Sequence, residues 1–376
     1  MSDEATAAVE RAEREPLLGH RGPQVRALID AAAPLLDQHP IPELRARLLL
    51  RLADVLLVEN DYEGADQALE AVGKHVPNDV TLRFLTGVRA CRVAIRRSAE
   101  HRKLASDTLL NVAARLDAFE TNTPAWDGVT TEVALAIAEL ALHDPEPDPS
   151  AFDPIAELAA HAKDPDVGFA GNQLVAAFAM QTGDAQRAVD ALHRALAIAK
   201  ASRAESDEIE TRLALASVLV ALGTEIAIEE AQRTVQLARD RALEGGFTQL
   251  HSAALIAQAG VLSAAGKTAG AIDRMLELAR EGAANNDAGQ YVAAVGIMAE
   301  LYAKTGDHVS AFRTIAESHR ALSAATNSDT THLFRPLLAR LRDRVGAERL
   351  AQISNEAQLA NTLADQLAAQ KTKHPD

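Results

Sequence analysis

The residues Gly266-Lys267-Thr268 could bind phosphate, because Gly-Lys-Thr closes the glycine-rich loop that holds nucleotide phosphates. Such a loop needs a second glycine, separated from Gly-Lys-Thr by four residues. Here five residues separate Gly260 from Gly266, and the required position is Val261. The spacing therefore disfavours a phosphate-binding loop.

The segment before these residues also has the wrong periodicity, since a phosphate loop follows a buried strand. Its apolar residues recur at steps of three and four, as on one face of an amphipathic helix; they are Phe247, Leu250, Ala254, Ala257, Val261 and Ala264. We interpret Gly266 as the end of this helix and Ala271 as the first packing residue of the next. Nucleotide binding is not expected here.

Other residue types that perform chemistry also lack the required spacing. The twelve histidines form no His-Glu-x-x-His metal motif, and no Gly-x-Ser-x-Gly nucleophile elbow occurs. Cys91, the only cysteine, lies between Val88 and Ile95 on an apolar helical face and is predicted to be a buried structural thiol. These patterns predict a protein that is not an enzyme and has no cofactor and no bound metal.

One group of charged residues is a candidate binding surface, which we call the basic face. The segment 83–103 holds seven basic residues and one acidic residue in a chain of net charge -15. This face could dock an acidic partner segment or a phosphate group. The alternative is that the protein's own acidic segment, residues 144–153, neutralises it. Its members at helical spacing are Arg89, Arg92, Arg96 and Lys103.

The composition favours helices packed on helices. Hydrophobic residues make up 48% of the 376 residues but aromatic residues only 3%, so the core must consist of Ala, Leu, Val and Ile. The acidic net charge predicts no binding to nucleic acid or to an anionic membrane surface. The polar first residues and the lack of a long apolar run predict a cytoplasmic location. The Ala-rich, Lys-poor composition is typical of a high-GC bacterium.

A turn signal recurs along the chain. Glycine or asparagine is followed five positions later by a small residue that opens an apolar helix, at Asn60–Ala65, Gly183–Ala188, Gly266–Ala271 and Gly306–Ala311. Such a residue can end one helix in the left-handed conformation, and Asp61, Asp184 or Asp307 can cap the next. Gly223 fits the series if its turn carries an insertion before Ala231. This period of about 40 residues predicts a solenoid of paired helices.

The repeats resemble those of the tetratricopeptide repeat (TPR) superfamily, in a variant of about 40 residues. Residues 46–79 match best, with Leu49, Leu52-Ala53, Leu56, the turn at Asn60–Ala65, Leu69, Val72 and Pro77 at the landmark positions. Residues 169–202 and 292–325 match through their small and apolar positions. The resemblance implies an all-α right-handed superhelical solenoid of antiparallel helix pairs.

The resemblance also implies a binding groove, because the first helix of each TPR pair lines the concave surface. The corresponding residues here are Arg47, Leu50, Asp54, Gln173, Ala177, Leu213, Ser217, Ile256, Gly260, Gly296 and Glu300. Only Arg47 and Arg51 resemble the clamp with which some members hold a terminal carboxylate, and its asparagines are absent. A mostly neutral groove suits an amphipathic helix or an extended apolar peptide. Alternatively, the chain's own final helix, with Leu359, Leu363 and Leu367, fills it.

The expected organisation follows from these signals. Residues 1–22 are expected to be flexible, followed by TPR-like repeats over 23–143, an acidic proline-rich loop over 144–154, further repeats over 155–328, capping helices over 329–370 and a tail over 371–376. Residues 80–119 form either one long helix or a degraded pair. The favoured function is a non-catalytic adaptor that binds a protein partner in the groove. The alternative is a peptide- or ligand-sensing regulator that acts through a separate effector.

Overall fold

The structure, a computed structural model, describes residues 2–18, 21–76, 78–116, 124–147 and 152–357. It divides into two compact units, Met1–Val218 and Leu219–Asp376, with the boundary inside one helix. All regular elements of the described residues are helices, and no strand occurs among them. Within each unit consecutive helices pack against each other, so the predicted all-α solenoid class is confirmed.

Unit 1 holds ten complete helices in the described part of the chain, together with most of an eleventh. They are α1 (Ser2–Arg14), α2 (Gly22–Gln38), α3 (Pro42–Val58), α4 (Tyr62–His75), α5 (Val80–Arg97), α6 (Ala99–Leu116), α7 (Pro124–Ala141), α8 (Asp153–His161), α9 (Pro165–Gln181), α10 (Ala185–Ala201) and α11 (Glu205–Leu222). Unit 2 holds α12 (Glu225–Glu244), α13 (Thr248–Ala264), α14 (Thr268–Ala284), α15 (Ala288–Lys304), α16 (His308–Thr326) and α17 (Thr331–Val345). Residues 347–357 are helical as well.

The Gly-Lys-Thr sequence is a turn between two helices, as its spacing predicts. Gly266 ends α13 with a φ of +72°, a left-handed conformation that glycine adopts without strain. The Lys267 amide donates to the Leu262 carbonyl at 2.9 Å, which closes the last turn of α13. Ala271 is fully buried on α14. The element before the turn is therefore a helix and not the strand that a phosphate loop requires.

The other predicted turns are confirmed by the same backbone conformation. Asn60, Gly183, Gly223 and Gly306 all have positive φ. The caps also form, because the Asp61, Asp184 and Asp307 carboxylates each accept a hydrogen bond from an amide in the first turn of the following helix. The insertion expected after Gly223 is wrong: Thr224 caps α12, which begins at the next residue. Further positive-φ residues between the pairs are Arg203, Gly246, Asn286 and Asn327.

The first residues of the chain, which are expected to be flexible, form a helix that is packed against the rest of unit 1. Residues 2–14 form α1, and Ala5, Val9 and Ala12 are fully buried against α2 and α3. Their spacing of three and four residues puts these small side chains on one helical face, which the surrounding charges conceal in the sequence. The expectation of a flexible segment is therefore wrong for the described residues 2–18. Residues 371–376 and the predicted capping residues Leu359, Leu363 and Leu367 lie outside the described residues.

The structure defines two stretches whose secondary structure the sequence leaves open. Residues 80–116 form a helix pair, because Ser98 is extended and separates α5 from α6. Ala105 and Leu109 of α6 are buried in a core shared with α5, at the positions where the sequence places the second helix of a pair. The acidic proline-rich segment has turns at residues 142–146, and α8 begins at Asp153, within the predicted loop. Residues 148–151 lie outside the described part of the chain.

Each unit has apolar cores of small and aliphatic side chains. In unit 1 one core joins α3, α4 and α5, and another joins α5, α6 and α7. In unit 2 the core runs from Leu255 on α13 to Leu341 on α17. Among the described residues, no helix is both long enough and apolar enough to cross a membrane.

Substitution by alanine is expected to change the stability in opposite directions at two glycines of unit 2, Gly282 and Gly260. A Cβ on Gly282 would lie 2.8 Å from the Tyr291 backbone nitrogen, because α14 and α15 approach closely there, whereas Gly260 is exposed and a Cβ on it meets nothing within 4 Å. We expect Gly282→Ala to lower the free energy of unfolding by about 2 kcal/mol through overpacking. Gly260→Ala is expected to raise it by about 0.5–1 kcal/mol through helix propensity. Urea unfolding measures both, and shifts of the same sign would contradict the packing.

Candidate partner-binding site

An open cavity of about 600 Å³ lies in unit 1. It is lined by the first helices of four successive pairs, α3, α5, α7 and α9, and by the segment between α1 and α2. Its apolar lining residues include Leu57 and Val58 of α3 and Phe169, Leu174 and Ala177 of α9. Its charged lining residues include the arginines of α5 and carboxylates of α3, α7 and α9.

The charged lining residues of α3, α5 and α7 form an ion-pair network. Arg89 donates through two nitrogens to the Asp54 carboxylate at 2.6 and 3.0 Å. Arg92 lies between two carboxylates, at 2.9 Å from Glu132 and 2.9 Å from Glu139. Such paired guanidinium–carboxylate contacts fix the orientation of both side chains.

The network extends to Arg96 at one end and to Arg51 at the other. Arg96 donates to the Glu139 carboxylate at 2.7 Å, so that this carboxylate accepts hydrogen bonds from two arginines. At the other end Arg51 lies 3.8 Å from Asp54. The arginines of α5 are spaced by three and four residues and the glutamates of α7 by seven, so each set shares one face of its helix.

Burial makes these contacts strong. The Arg92 side chain is 13% exposed and that of Glu139 is 10% exposed. Burial opposes ionisation of Glu139, but the positive charges and hydrogen bonds of Arg92 and Arg96 outweigh it and hold the pKa of Glu139 below its ordinary value. Glu139 is therefore an anion whose charge is matched inside the protein.

The predicted basic face is thus largely neutralised by the protein itself. Arg89, Arg92 and Arg96 are paired, as the alternative interpretation holds, but the carboxylates come from α3 and α7 and not from the acidic segment 144–153. Lys103 is exposed on α6 and does not line the cavity. The three arginines form part of the cavity wall and do not offer unpaired charge to an acidic partner.

The predicted groove residues on α3 and α9 have three different environments. Asp54, Gln173 and Ala177 line the cavity, and Gln173 also donates to the Thr211 hydroxyl at 3.2 Å. Arg47 instead forms an ion pair with Glu13 of α1. Leu50 is a core residue packed among α3, α4 and α5, so its assignment to the groove is wrong.

The remaining groove residues do not reach this cavity. On α11, Leu213 is half-buried and the exposed Ser217 hydroxyl donates to its carbonyl. In unit 2, Ile256 and Gly260 are exposed on α13. Gly296 and Glu300 line a smaller cavity of about 270 Å³ beside α17, where Glu300 pairs with Arg344 at 2.6 Å. Part of the predicted unit 2 surface is thus covered by α17.

Sequence reasoning missed many of the cavity residues, among them Leu17, Leu18 and Asp166, which are brought together from distant parts of the chain. Leu17 and Leu18 enter it from the segment between α1 and α2, and Asp166 of α9 accepts hydrogen bonds from both of their amides. The only signal in the sequence is an apolar pair after Pro16 in an otherwise polar stretch. Nothing in that stretch indicates its partner 149 positions away.

Cys91 has the predicted structural role. It is buried in the core shared by α5, α6 and α7. Burial raises the pKa of its thiol to about 11, so the thiol is protonated at neutral pH and a poor nucleophile.

One cluster of unit 2 has the residue types of a metal site. His251, Glu277 and Glu281 bring their ligand atoms within 4.8 Å of one another. Each already has a partner, however: His251 Nδ1 lies 3.4 Å from Glu281, and Arg274 lies 2.5 Å from Glu277. The His251–Glu281 contact joins α13 to α14 and the Arg274–Glu277 ion pair lies within α14, so these contacts explain the cluster and we assign no metal to it.

The fold and the cavity together define a helical repeat protein of the TPR-like type. No protein-family model matches the chain, and no curated protein matches it. Among solved structures, the chain is similar to a Signal Transduction ATPase with Numerous Domains (STAND) protein with a tetratricopeptide repeat sensor from Pyrococcus horikoshii. The TM-score is 0.54 at 14% identity, over 86% of this chain and 49% of that one. At this identity the likeness shows the fold alone, and this chain spans about half the length of that protein.

Proposed function

We propose that this protein is a non-catalytic adaptor that binds a segment of a protein partner in the cavity of unit 1. The observation that carries the proposal is the position of the cavity on the first helices of four successive pairs, α3, α5, α7 and α9. TPR-like folds are commonly involved in protein–protein interaction. The volume of about 600 Å³ lies within the range of ligand-binding pockets.

The chemistry of the walls supports a peptide segment as the ligand. The apolar lining residues Phe169, Leu174 and Ala177 can bury aliphatic side chains of a partner. The arginines that line the cavity are already held in place by carboxylates, so a partner meets an ordered polar surface and loses little free energy in ordering it.

Catalysis is not part of the proposal, and Glu139 in particular is poorly suited to proton transfer. Arg92 and Arg96 hold the pKa of Glu139 below its ordinary value, whereas a general base works best with a pKa near the working pH.

The adaptor proposal predicts that filling the cavity abolishes partner capture. Ala177 is exposed and lines the cavity, so Ala177→Arg adds bulk and charge there without disturbing the core. Ser217→Arg is the matched control, because Ser217 is exposed on α11 outside the cavity lining. Affinity purification from the native cell extract should return one stoichiometric partner with the unmodified chain and with the control, and none with Ala177→Arg. Equal recovery with Ala177→Arg, at unchanged circular dichroism, would show that the cavity is not the site.

A second candidate function is a sensor that binds a peptide or small ligand and acts through a separate effector. It is favoured by the repeat sensor of the structurally similar STAND protein. For this function, cell extract freed of proteins should raise the thermal midpoint of the unmodified chain but not that of Ala177→Arg. Recovery of a stoichiometric protein partner, without any such shift, would favour the adaptor.

A further inference from the structure

A short piece of the protein's own chain forms part of the wall of the cavity of unit 1. Residues 15–18, which we call the strap, lie between α1 and α2 and have no helical structure over residues 15–17. Leu17 and Leu18 both line the cavity. The strap thus lies beside the volume in which the proposed function places a partner segment.

Two side chains, Asp166 and Arg51, form hydrogen bonds with main-chain groups of the strap. The Asp166 carboxylate accepts from the Leu17 amide at 3.0 Å and from the Leu18 amide at 3.3 Å. Arg51 donates to the Glu15 carbonyl, and also to the Ala12 carbonyl at 3.2 Å. Arg51 and Asp166 lie 3.6 Å apart, so together they offer an acceptor for peptide N–H groups beside a donor for peptide carbonyls.

One side chain of the strap enters an apolar recess. Leu18 is buried and packs with Ala199 and Ala204, beside Phe169 and Ile198. The recess is formed by α9, α10 and the turn after α10. Leu18 is thus the strap side chain in this recess, whereas Leu17 packs against the core of α1, α2 and α3 and Glu15 forms an ion pair with Arg21.

Without a segment that donates hydrogen bonds to it, the Asp166 carboxylate would be energetically unfavourable at this position because burial removes part of its hydration. Burial raises the pKa of Asp166 above its ordinary value, although the amide of Leu17 and the charge of Arg51 oppose that rise. A half-buried carboxylate needs donors, and in this structure the strap supplies two of them. The site is thus built to accept consecutive amides of an extended segment.

We propose that the strap is an internal ligand of a peptide-binding subsite formed by Arg51, Asp166 and the recess around Leu18, and that the subsite's external ligand is an extended, leucine-bearing segment of a partner protein. The inference rests on the proposed function and names its partner chemistry. Any extended segment with two free consecutive amides and a leucine can present the groups that the strap presents. Because the strap is tethered, its high effective concentration keeps the subsite closed until a partner displaces it.

The test uses the full chain with the strap released. Leu18→Asp places a charge in the apolar recess and leaves the buried face of α1 unchanged. A fluorescent peptide with the sequence of residues 12–22 is titrated against it and against the unmodified chain, and binding is measured by anisotropy. The released variant should bind the peptide at least about tenfold more tightly, because its subsite is no longer occupied.

Controls separate recognition from non-specific adhesion. The same peptide methylated at the amide nitrogens of Leu17 and Leu18 should lose binding, as should the unmethylated peptide when Asp166→Ala is added to the released variant. Equal binding to the released and unmodified chains would overturn the inference, as would no binding to a released variant with unchanged circular dichroism. If Leu18→Asp does not fold, Leu17→Pro, which removes one amide bound by Asp166, serves as the released variant.

Two further measurements distinguish the possible failures. Light scattering of the released variant should show a monomer; a dimer would mean that the occupant is the strap of a second copy and would overturn the partner claim. If Ala177→Arg abolishes partner capture but the released variant binds no peptide, the strap inference fails and the adaptor proposal stands. If the peptide binds while capture is indifferent to Ala177→Arg, the adaptor proposal fails alone.

Discussion

Arg92→Ala is expected to lower the free energy of unfolding of unit 1 by about 3 kcal/mol. Arg92 joins Glu132 and Glu139 inside the cavity wall, where its side chain is 13% exposed. Removal of one member of a buried pair leaves the other charge without its full compensation. The expected loss is at the lower end of the range for buried pairs, because Arg89 and Arg96 still contact the two carboxylates. Urea unfolding followed by circular dichroism measures the change.

The control is an exposed pair in the same unit. Arg14 of α1 contacts Glu10 at 2.8 Å with its side chain 79% exposed, and Arg14→Ala should change the free energy of unfolding by less than about 0.5 kcal/mol. Equal effects of the two substitutions would show that the buried network contributes no more than a surface contact.

The same network predicts an acid-dependent part of the stability. Because the pKa of Glu139 is lower in the folded protein than in the unfolded chain, its contribution is present above the ordinary value of 4.5 and is lost as the pH falls through the folded pKa. The difference in unfolding free energy between the unmodified chain and Arg92→Ala should therefore shrink below about pH 4.5. A difference that stays constant down to pH 3 would contradict the assignment.

Phe152→Ala is expected to lower the free energy of unfolding of unit 1 by about 4 kcal/mol. Phe152 precedes α8 and is fully buried, and its ring stacks on that of Phe178 of α9 with centroids 3.9 Å apart. The substitution removes the ring and leaves a cavity between the two helices. It also removes the contact with Phe178 that holds the end of the proline-rich segment against α9. Urea unfolding should show the loss as a lower midpoint.

Phe247 provides a matched control because it occupies the same position before a helix. It precedes α13 without a side-chain cap, as Phe152 precedes α8, but it is only partly buried. Phe247→Ala should therefore cost less than half as much as Phe152→Ala. Equal losses would mean that the position before the helix, and not burial of the ring, determines the effect.

The helices and turns of this protein are largely predictable from its sequence. The left-handed residues Asn60, Gly183, Gly266 and Gly306 and the caps next to three of them are found where the spacing places them. These features depend on groups within a few residues of one another, so the local sequence contains the whole cause. The missed turn at Arg203 lacks such a signal, because arginine rarely adopts a positive φ.

The candidate site is less predictable, and particular residues show why. Leu50 matches a groove position by its place in the repeat, yet it is buried because α4 and α5 pack on that part of α3. Arg92 belongs to a basic run in the sequence, yet it is neutralised by Glu139, 47 positions away. The chain has 53 acidic residues, and the local sequence does not indicate which of them faces a given arginine.

The sequence by itself thus determined the all-α repeat, the left-handed turns at Asn60, Gly183, Gly266 and Gly306, and the structural role of Cys91. The tertiary structure alone decided that the arginines of the basic face pair with carboxylates of α3 and α7 and that Leu17 and Leu18 line the cavity. The physical reason is the range of the interactions. Caps and helical periodicity act within one or two turns, whereas the contact between Leu17 and Asp166 exists only because helix packing brings them together.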